Sequence, residues 1–386
     1  MRAAMTLAAL ADRFDIHLCV VAPVSKNQKP PAHILAQCRA VRILSPSNLP
    51  DASQGRPLLT PHDFLPIHTS ARLGSRVYVP DVCAAFDGLR PQAVFVFRIF
   101  MAPFVEHLLR GRRPIGRVLD IDDYESEARP RRAAIFSRAG KRDRVRTEVE
   151  NIERYRQMEL AYLPLFDRTY VCSEIDRQKV IRDHGRAPVS VLPNAVSIPT
   201  TSQTRSGASV LTVLFVGTLG YYPNEDAVLH FCARVLPLIL KGCSQPLQLV
   251  LVGSEPPEAV LALNAHPGIR VVGWVRDPAE WYARADLAVV PLRAGGGTRI
   301  KILEAFSHRV PVVSTRIGAE GLDVSPGRHL LLADRPGTFA RRCQQIIENP
   351  EQAAAMAQRS YDWLLANHTI DQVRSALKQT LPDVDI

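Results

Sequence analysis

Apolar residues gather along this chain into short runs, each followed by a turn and then by a stretch of helical periodicity. In the first half the runs fall at Ile16–Val21, Ala40–Leu44, Ala93–Phe97, Arg117–Ile121, Arg168–Cys172 and Val189–Leu192. In the second half they fall at Val210–Val216, Leu247–Val252, Ile269–Val275, Leu287–Leu292, Val310–Ser314 and His329–Ala333. Helical patterns lie between them at Pro103–Leu109, Glu148–Leu163, Pro257–Leu263, Pro278–Ala285 and Thr298–His308. Ser173, Asn224 and Asp277 precede such stretches as candidate caps. Strands that are apolar throughout, alternating with helices, predict parallel sheets covered on both faces. The helix Thr298–His308 is expected to turn Ile300, Leu303 and Ala305 toward its sheet.

At 386 residues the chain exceeds one ordinary core, so two domains are expected. The polar, aperiodic stretch at 200–209 reads as the linker between a lobe at 1–199 and a second at 210–365, with a closing helical segment at 366–386. Residues 24–70 are rich in proline, serine and asparagine and predict long loops. Hydrophobic content of 46% excludes disorder. Seven cysteines without a CxxC pair read as reduced thiols in a reducing compartment. Eleven histidines without ligand spacing give no reason to expect a metal. No apolar run approaches the ~18 residues of a membrane span. The opening MRAAMTLAAL imitates a leader, but Asp12 and Arg13 cut it short, so an amphipathic helix over Met1–Arg13 and a cytoplasmic protein are expected.

Charge changes this picture in one place. Residues 1–200 hold 30 Lys+Arg against 21 Asp+Glu, whereas the remainder holds 18 against 17. Within Arg129–Arg146 eight basic residues face one acid, Asp143, around the apolar triplet Ala134–Phe136. This run suits an anionic membrane surface, giving a peripheral location on the inner face, or else a solvated loop and helix start. No aromatic interleaving or recognised motif accompanies it, so nucleic acid is not expected.

Candidate chemistry concentrates at Asp286–Leu322. A strand-like run leads into Gly295-Gly296-Gly297, then a helix carrying Thr298, Arg299 and Lys301 in its first turn and Glu304 one turn on. Glycines let backbone N–H groups approach a ligand, a helix start favours an anion, and Lys301 adds a full charge. Glu304 cannot bind phosphate, but it can accept from a pair of ribose hydroxyls. Together these describe a nucleotide site; the plainer alternative is a glycine-rich connection with a solvated Arg and Lys. Neither GxGxxG nor GxxxxGK[ST] is present here. In the first half Asp120, Asp122 and Asp123 close a strand, where ligands of open α/β sheets bind. They read either as acceptor-side anchors, with Asp123 the candidate base, or as a capping cluster.

The segment GGGTRIKILEAFSHRVPVVST, followed by GAEGL, resembles the donor-site segment of glycosyltransferase family four, in the branch written GxGTRxKxxEA. The resemblance implies the GT-B architecture, two Rossmann-like lobes facing each other across a cleft. It also implies retaining, metal-free transfer of a hexose from a nucleotide-diphosphate sugar to an acceptor hydroxyl, with no other cofactor. The acceptor would be a saccharide or lipid-linked saccharide of polysaccharide or glycoconjugate assembly. The family commonly carries two glutamates eight positions apart; Glu304 matches the second, and Gly296 stands in place of the first. Gly217, Thr218 and Gly220 would lie beside the donor diphosphate, and the Arg and Lys that often follow are absent, which shifts the cationic role to Arg299 and Lys301. Glu320 and Gly321 would contact the donor. DIDDYES, from Asp120, resembles an acceptor-lobe motif of the branch, and the last helix, Asp371–Leu381, would pack back on the first lobe. Two alternatives stay open: a nucleotide-sugar epimerase of the same build, and a non-catalytic relative acting as partner.

One expectation concerns the start. A Rossmann-like lobe opens with a strand and a glycine turn, whereas here a helix comes first and the only glycine before residue 60 is Gly55. In the family an arginine opens the first helix, and Arg2 occupies that place. The first lobe is therefore expected to lack its first strand, leaving a gap between that strand's neighbours.

Overall fold

A computed structural model describes residues 2–21, 31–44, 84, 88–111, 115–185, 188–199, 210–296 and 299–381. Contacts divide the chain into two compact units, 1–193 with 373–386, and 194–372. The expected linker at 200–209 and most of the loop region 24–70 lie outside the described residues.

The first unit opens on the helix Arg2–Ala11, ahead of its first strand. Strands β1 (His17–Val21) and β2 (Ala40–Leu44) pair in parallel as one sheet. Strands β3 (Ala93–Phe97), β4 (Gly116–Asp120), β5 (Arg168–Val171) and β6 (Val189–Val191) form a second parallel sheet in that order. Among the described residues no strand joins β1 to β3. The core beneath the larger sheet is built by Phe104, Leu119, Tyr155, Met158 and Val171, all buried. Pro103 does not start a helix as its position suggests. It sits within a 3-10 segment, Ile99–Val105, and the α-helix begins only at Glu106. A proline inside a turn supplies no N–H for a continuing ladder, so the tighter winding persists past it.

The basic run is helical except for a short turn at 139–141, where the sequence reading expected a longer loop before a helix start. Helix Glu125–Arg138 turns at Gly140, whose φ is +68°, into the long helix Arg142–Tyr162. Arg129 is buried against the Tyr155 ring at 4.6 Å and pairs with Glu125 at 3.1 Å and Glu148 at 3.0 Å. Arg132 donates to Glu125 at 2.9 Å. Acids outside the run, one on each helix, draw these two arginines inward.

The second unit holds one six-stranded parallel sheet in the order β12-β11-β10-β7-β8-β9. Its strands are β7 (Leu211–Val216), β8 (Leu247–Val252), β9 (Ile269–Gly273), β10 (Leu287–Val290), β11 (Val312–Ser314) and β12 (Leu331–Leu332). Read from its own first strand this is the Rossmann order, with the topological switch between β7 and β10. Alternate side chains feed two cores, Phe215, Leu249 and Val289 into one and Leu214, Val250 and Val290 into the other.

The helix after β10 runs Ile300–Ser307 and buries Ile302, Leu303, Ala305 and Phe306, while Ile300 is only half-buried. Leu303 and Ala305 thus face inward as expected, with Ile302 and Phe306 taking the place given to Ile300. Just beyond the helix, after the C-cap His308, Arg309 holds φ +51° where glycine is usual. Its guanidinium stacks 3.6 Å from the Tyr361 ring centroid and donates to Gln358 at 2.9 Å, contacts that offset the strain of a side chain in that conformation.

Candidate nucleotide site in the second unit

Two loops leave the switch point, one after β7 and one after β10. The first turns at Gly217, whose φ is +156°. A Cβ there would stand 2.7 Å from Lys301 Nζ and 3.0 Å from Asn224 Nδ2, so only glycine lets the strand end approach them. The second loop turns at Gly295, φ +131°, where a Cβ would meet the Arg299 guanidinium at 3.0 Å. Asp226, on the helix after β7, accepts from Arg293 Nε at 2.8 Å and so ties that helix to the loop after β10.

Lys301 lies between the two loops, half-buried on the first turn of its helix. Its ammonium donates to Asn224 Oδ1 at 2.7 Å and sits 4.3 Å from the Phe215 ring centroid. Burial, with Arg299 nearby, pushes Lys301 down to about 7, against the opposing pull of Glu304. The charge is thus held partly out of water with a neutral hydrogen-bond partner, where its attraction for a phosphate is less screened than at an exposed site.

Arg299 is placed differently. It is buried, and its guanidinium turns back on its own loop, donating to the carbonyl of Gly296 and, at 3.4 Å, to that of Ile317. Glu304, one turn beyond Lys301, accepts from the buried Tyr282 hydroxyl at 3.0 Å. Burial raises the Glu304 carboxyl, while Tyr282 and Lys301 hold it down. Tyr282 is itself set by a stack on His308, with ring centroids 5.2 Å apart.

The sequence-derived donor residues therefore assemble around the carboxyl ends of β7, β10 and β11. Gly217, Thr218 and Gly220 follow β7; Gly295, Gly296, Arg299, Lys301 and Glu304 follow β10; Glu320 and Gly321 end the short helix after β11. Gly297 and Thr298 lie outside the described residues. Asn224 does not cap its helix. Tyr221 stands at the N-cap, and the Asn224 amide reaches back to the Thr218 carbonyl at 2.8 Å and forward to Lys301. The ammonium outcompetes the helix's own N–H groups for that amide oxygen because it carries charge. Asn224, Asp226, Arg293 and Tyr282 were not legible as site residues, since no local pattern marks a partner on another element.

The aspartates of the first unit form a separate cluster at the ends of β3 and β4. Asp120 is buried and accepts from Arg2 Nε at 3.0 Å and Nη2 at 2.9 Å, while Arg2 Nη1 reaches the Leu192 carbonyl at 2.8 Å. Burial pushes the Asp120 carboxyl up, and Arg2 pulls it back. Asp122 holds φ +57° and accepts from Arg98, itself at φ +72°, at 2.5 Å. Arg98 also lies 3.6 Å from Glu125. Two strained residues joined by an ion pair mark a built feature, and no local sequence pattern singles out Arg98. Asp123 is half-buried beside them. Among the described residues no three His, Cys, Asp or Glu side chains converge as metal ligands, and no helix is long and apolar enough to cross a membrane.

The fold is that of the GT-B glycosyltransferases. The chain is similar to sucrose-phosphate synthase from Thermosynechococcus elongatus, with a TM-score of 0.71 and 17% identity over 97% of this chain and 90% of that one. It is also similar to Anabaena HepE in complex with UDP and glucose, with a TM-score of 0.67 and 14% identity over 98% of this chain and 94% of that one. Within the second unit, residues 211–349 match the model for Glycosyl transferases group 1. A curated relative, an uncharacterized 44.6 kDa protein in the cps region of Klebsiella pneumoniae, is 24% identical over 173 residues, 43% of this chain. That match spans 44% of the relative's own length.

Proposed function

We propose that this chain transfers a hexose from a nucleotide-diphosphate sugar to an acceptor hydroxyl, with retention at the anomeric carbon. One observation carries the reading: the loops after the first and fourth strands of a Rossmann-ordered sheet meet at one ammonium, Lys301, with Glu304 a turn away. The match to group 1 glycosyl transferases and the UDP and UDP-glucose complexes of Anabaena HepE support it.

As the donor bond breaks, negative charge builds on the departing diphosphate. On this reading Lys301 and the N–H groups of the glycine loop supply the pre-positioned donors, the largest contribution such a site makes. Arg299 acts on this reading through the loop it holds, and Glu304 takes the ribose hydroxyls. The nucleotide sugar is a substrate, and no resident cofactor or metal is assigned. Asp120, Asp122 and Asp123 form the acceptor-side cluster, with Asp123 as the candidate base.

We assign the acceptor to a saccharide or lipid-linked saccharide of polysaccharide assembly, a reading that the cps-region relative favours. A cytoplasmic protein resting on an anionic membrane face fits the helical hairpin, where Arg138, Lys141, Arg142, Arg144 and Arg146 are exposed.

The test is calorimetric binding of nucleoside diphosphates and their nucleosides. Lys301→Ala should weaken the diphosphate by on the order of tenfold or more and spare the nucleoside, since a charge-assisted bond is lost. Glu304→Gln should weaken both, because the ribose is common to them. Unchanged diphosphate affinity in Lys301→Ala would refute the site. Chelator-treated protein should retain transfer. Sugar released without any acceptor would point instead to an epimerase.

A further inference from the structure

Three elements converge on Lys301 Nζ. Its own helix carries it, β7 sets the Phe215 ring beneath it, and the helix Tyr222–Arg234 presents Asn224. Asn224 is 6% exposed, too deep to be an incidental surface amide. Its two ends have different tasks: Oδ1 accepts from the ammonium at 2.7 Å, and Nδ2 donates to the Thr218 carbonyl at 2.8 Å. An ammonium only donates and a carbonyl only accepts, so the amide's orientation is fixed by its partners. Capping does not explain the residue, and Gly217 has no side chain to intrude on the contact.

The choice of a neutral partner has a consequence. The charged groups acting on the ammonium, Arg299 and Glu304, belong to its own segment; the facing helix offers an amide and the strand a ring. A carboxylate in place of Asn224 would close an ion pair that an arriving diphosphate must break. An amide fixes the position of the cation without adding a counter-charge to the distant pull of Glu304.

We propose that Asn224 is a positioning residue for the donor diphosphate, holding the Lys301 ammonium against the Gly217 turn as a neutral partner that leaves the full charge to the phosphate oxygens. This rests on the donor-site reading above and assigns a role to a residue outside the glycine loop and its helix.

Wild type, Asn224→Asp, Asn224→Ala and Lys301→Ala are titrated with the tightest binder among UDP, GDP, ADP and dTDP, and with its nucleoside, from pH 6 to 9. Diphosphate affinity of the wild type should fall as Lys301 loses its proton across this range. Asn224→Asp should lose on the order of tenfold in diphosphate affinity with the nucleoside unaffected, because the new carboxylate competes for the cation. Its pH dependence should also flatten, since that carboxylate keeps Lys301 protonated. Asn224→Ala should weaken the diphosphate less and keep a pH slope. A merely structural Asn224 would weaken nucleotide and nucleoside together and leave the pH profile unmoved, which overturns the proposal. Unchanged diphosphate binding in Asn224→Asp, beside a loss in Lys301→Ala, overturns it too while the donor site stands. If Lys301→Ala binds like wild type, or no nucleotide binds at all, the donor-site reading itself falls.

Discussion

Both units gather charge at the carboxyl ends of parallel strands, yet they treat it in opposite ways. In the first, Asp120 is closed by Arg2 and Asp122 by Arg98, so each charge has its counter-charge within 3.0 Å. In the second, Lys301 faces an amide and an aromatic ring. A strand end is a place where ligands bind in α/β sheets, but the place alone does not make a charge available. Availability depends on whether a counter-charge already closes it, as Arg2 closes Asp120, or only neutral groups bond to it, as Asn224 bonds to Lys301.

The sharpest way to break this comparison is to open one closed pair. Asp120→Ala leaves the Arg2 guanidinium buried without its carboxylate, and should cost about 3–5 kcal/mol in guanidinium-induced unfolding of the first unit. Lys301→Met removes a charge with no buried counter-ion, and should leave the second unit's stability equal or higher. Equal losses in the two variants would erase the distinction.

The two units should also drift in opposite directions with pH. Glu159 in the first unit is buried, accepts from Ser126 Oγ at 2.6 Å, and is pushed by that burial up to about 8. A raised carboxyl fits the fold in its protonated form, so the first unit should lose stability as pH climbs from the ordinary carboxylate range through 8. Lys301 is lowered to about 7, so the second unit should gain stability as pH rises from there toward the ordinary lysine value. Calorimetric scans of the intact chain between pH 5 and 9 separate these trends, and Glu159→Gln should remove the first by about 1–3 kcal/mol. Parallel trends in both transitions would contradict the assignment.

Exposed and buried arginines of the basic run should differ in the same way, though by less. Replacing Arg138, Arg142, Arg144 and Arg146 by Gln should shift stability by no more than about 0.5 kcal/mol, because they are exposed. The same variant should lose salt-sensitive binding to vesicles of phosphatidylserine and phosphatidylcholine. Retained vesicle binding would remove the hairpin tip from the proposed membrane face. Arg129→Ala, by contrast, should destabilise measurably, since Arg129 packs inside the hairpin.

What the sequence determined by itself is whatever depends on near neighbours. Burial on both faces makes a parallel strand read as an unbroken apolar run, so β3, β7, β8 and β10 were legible to within two residues. Apolar residues at three- and four-residue spacings marked the helix that carries Lys301 and Glu304, and its glycine loop announced a phosphate-compatible turn. Partner choice between distant residues was decided only by the tertiary structure. Lys301 and Asn224 are 77 positions apart and Arg2 and Asp120 are 118, and only the packed fold brings each pair together. The same holds for the basic run, whose residues look alike in sequence. Glu125 and Glu148, one on each helix of the hairpin, turn Arg129 and Arg132 inward and leave the tip to water. A charge's role depends on the opposite charges and the dielectric around it. Those are properties of the packed chain, not of the order of its residues.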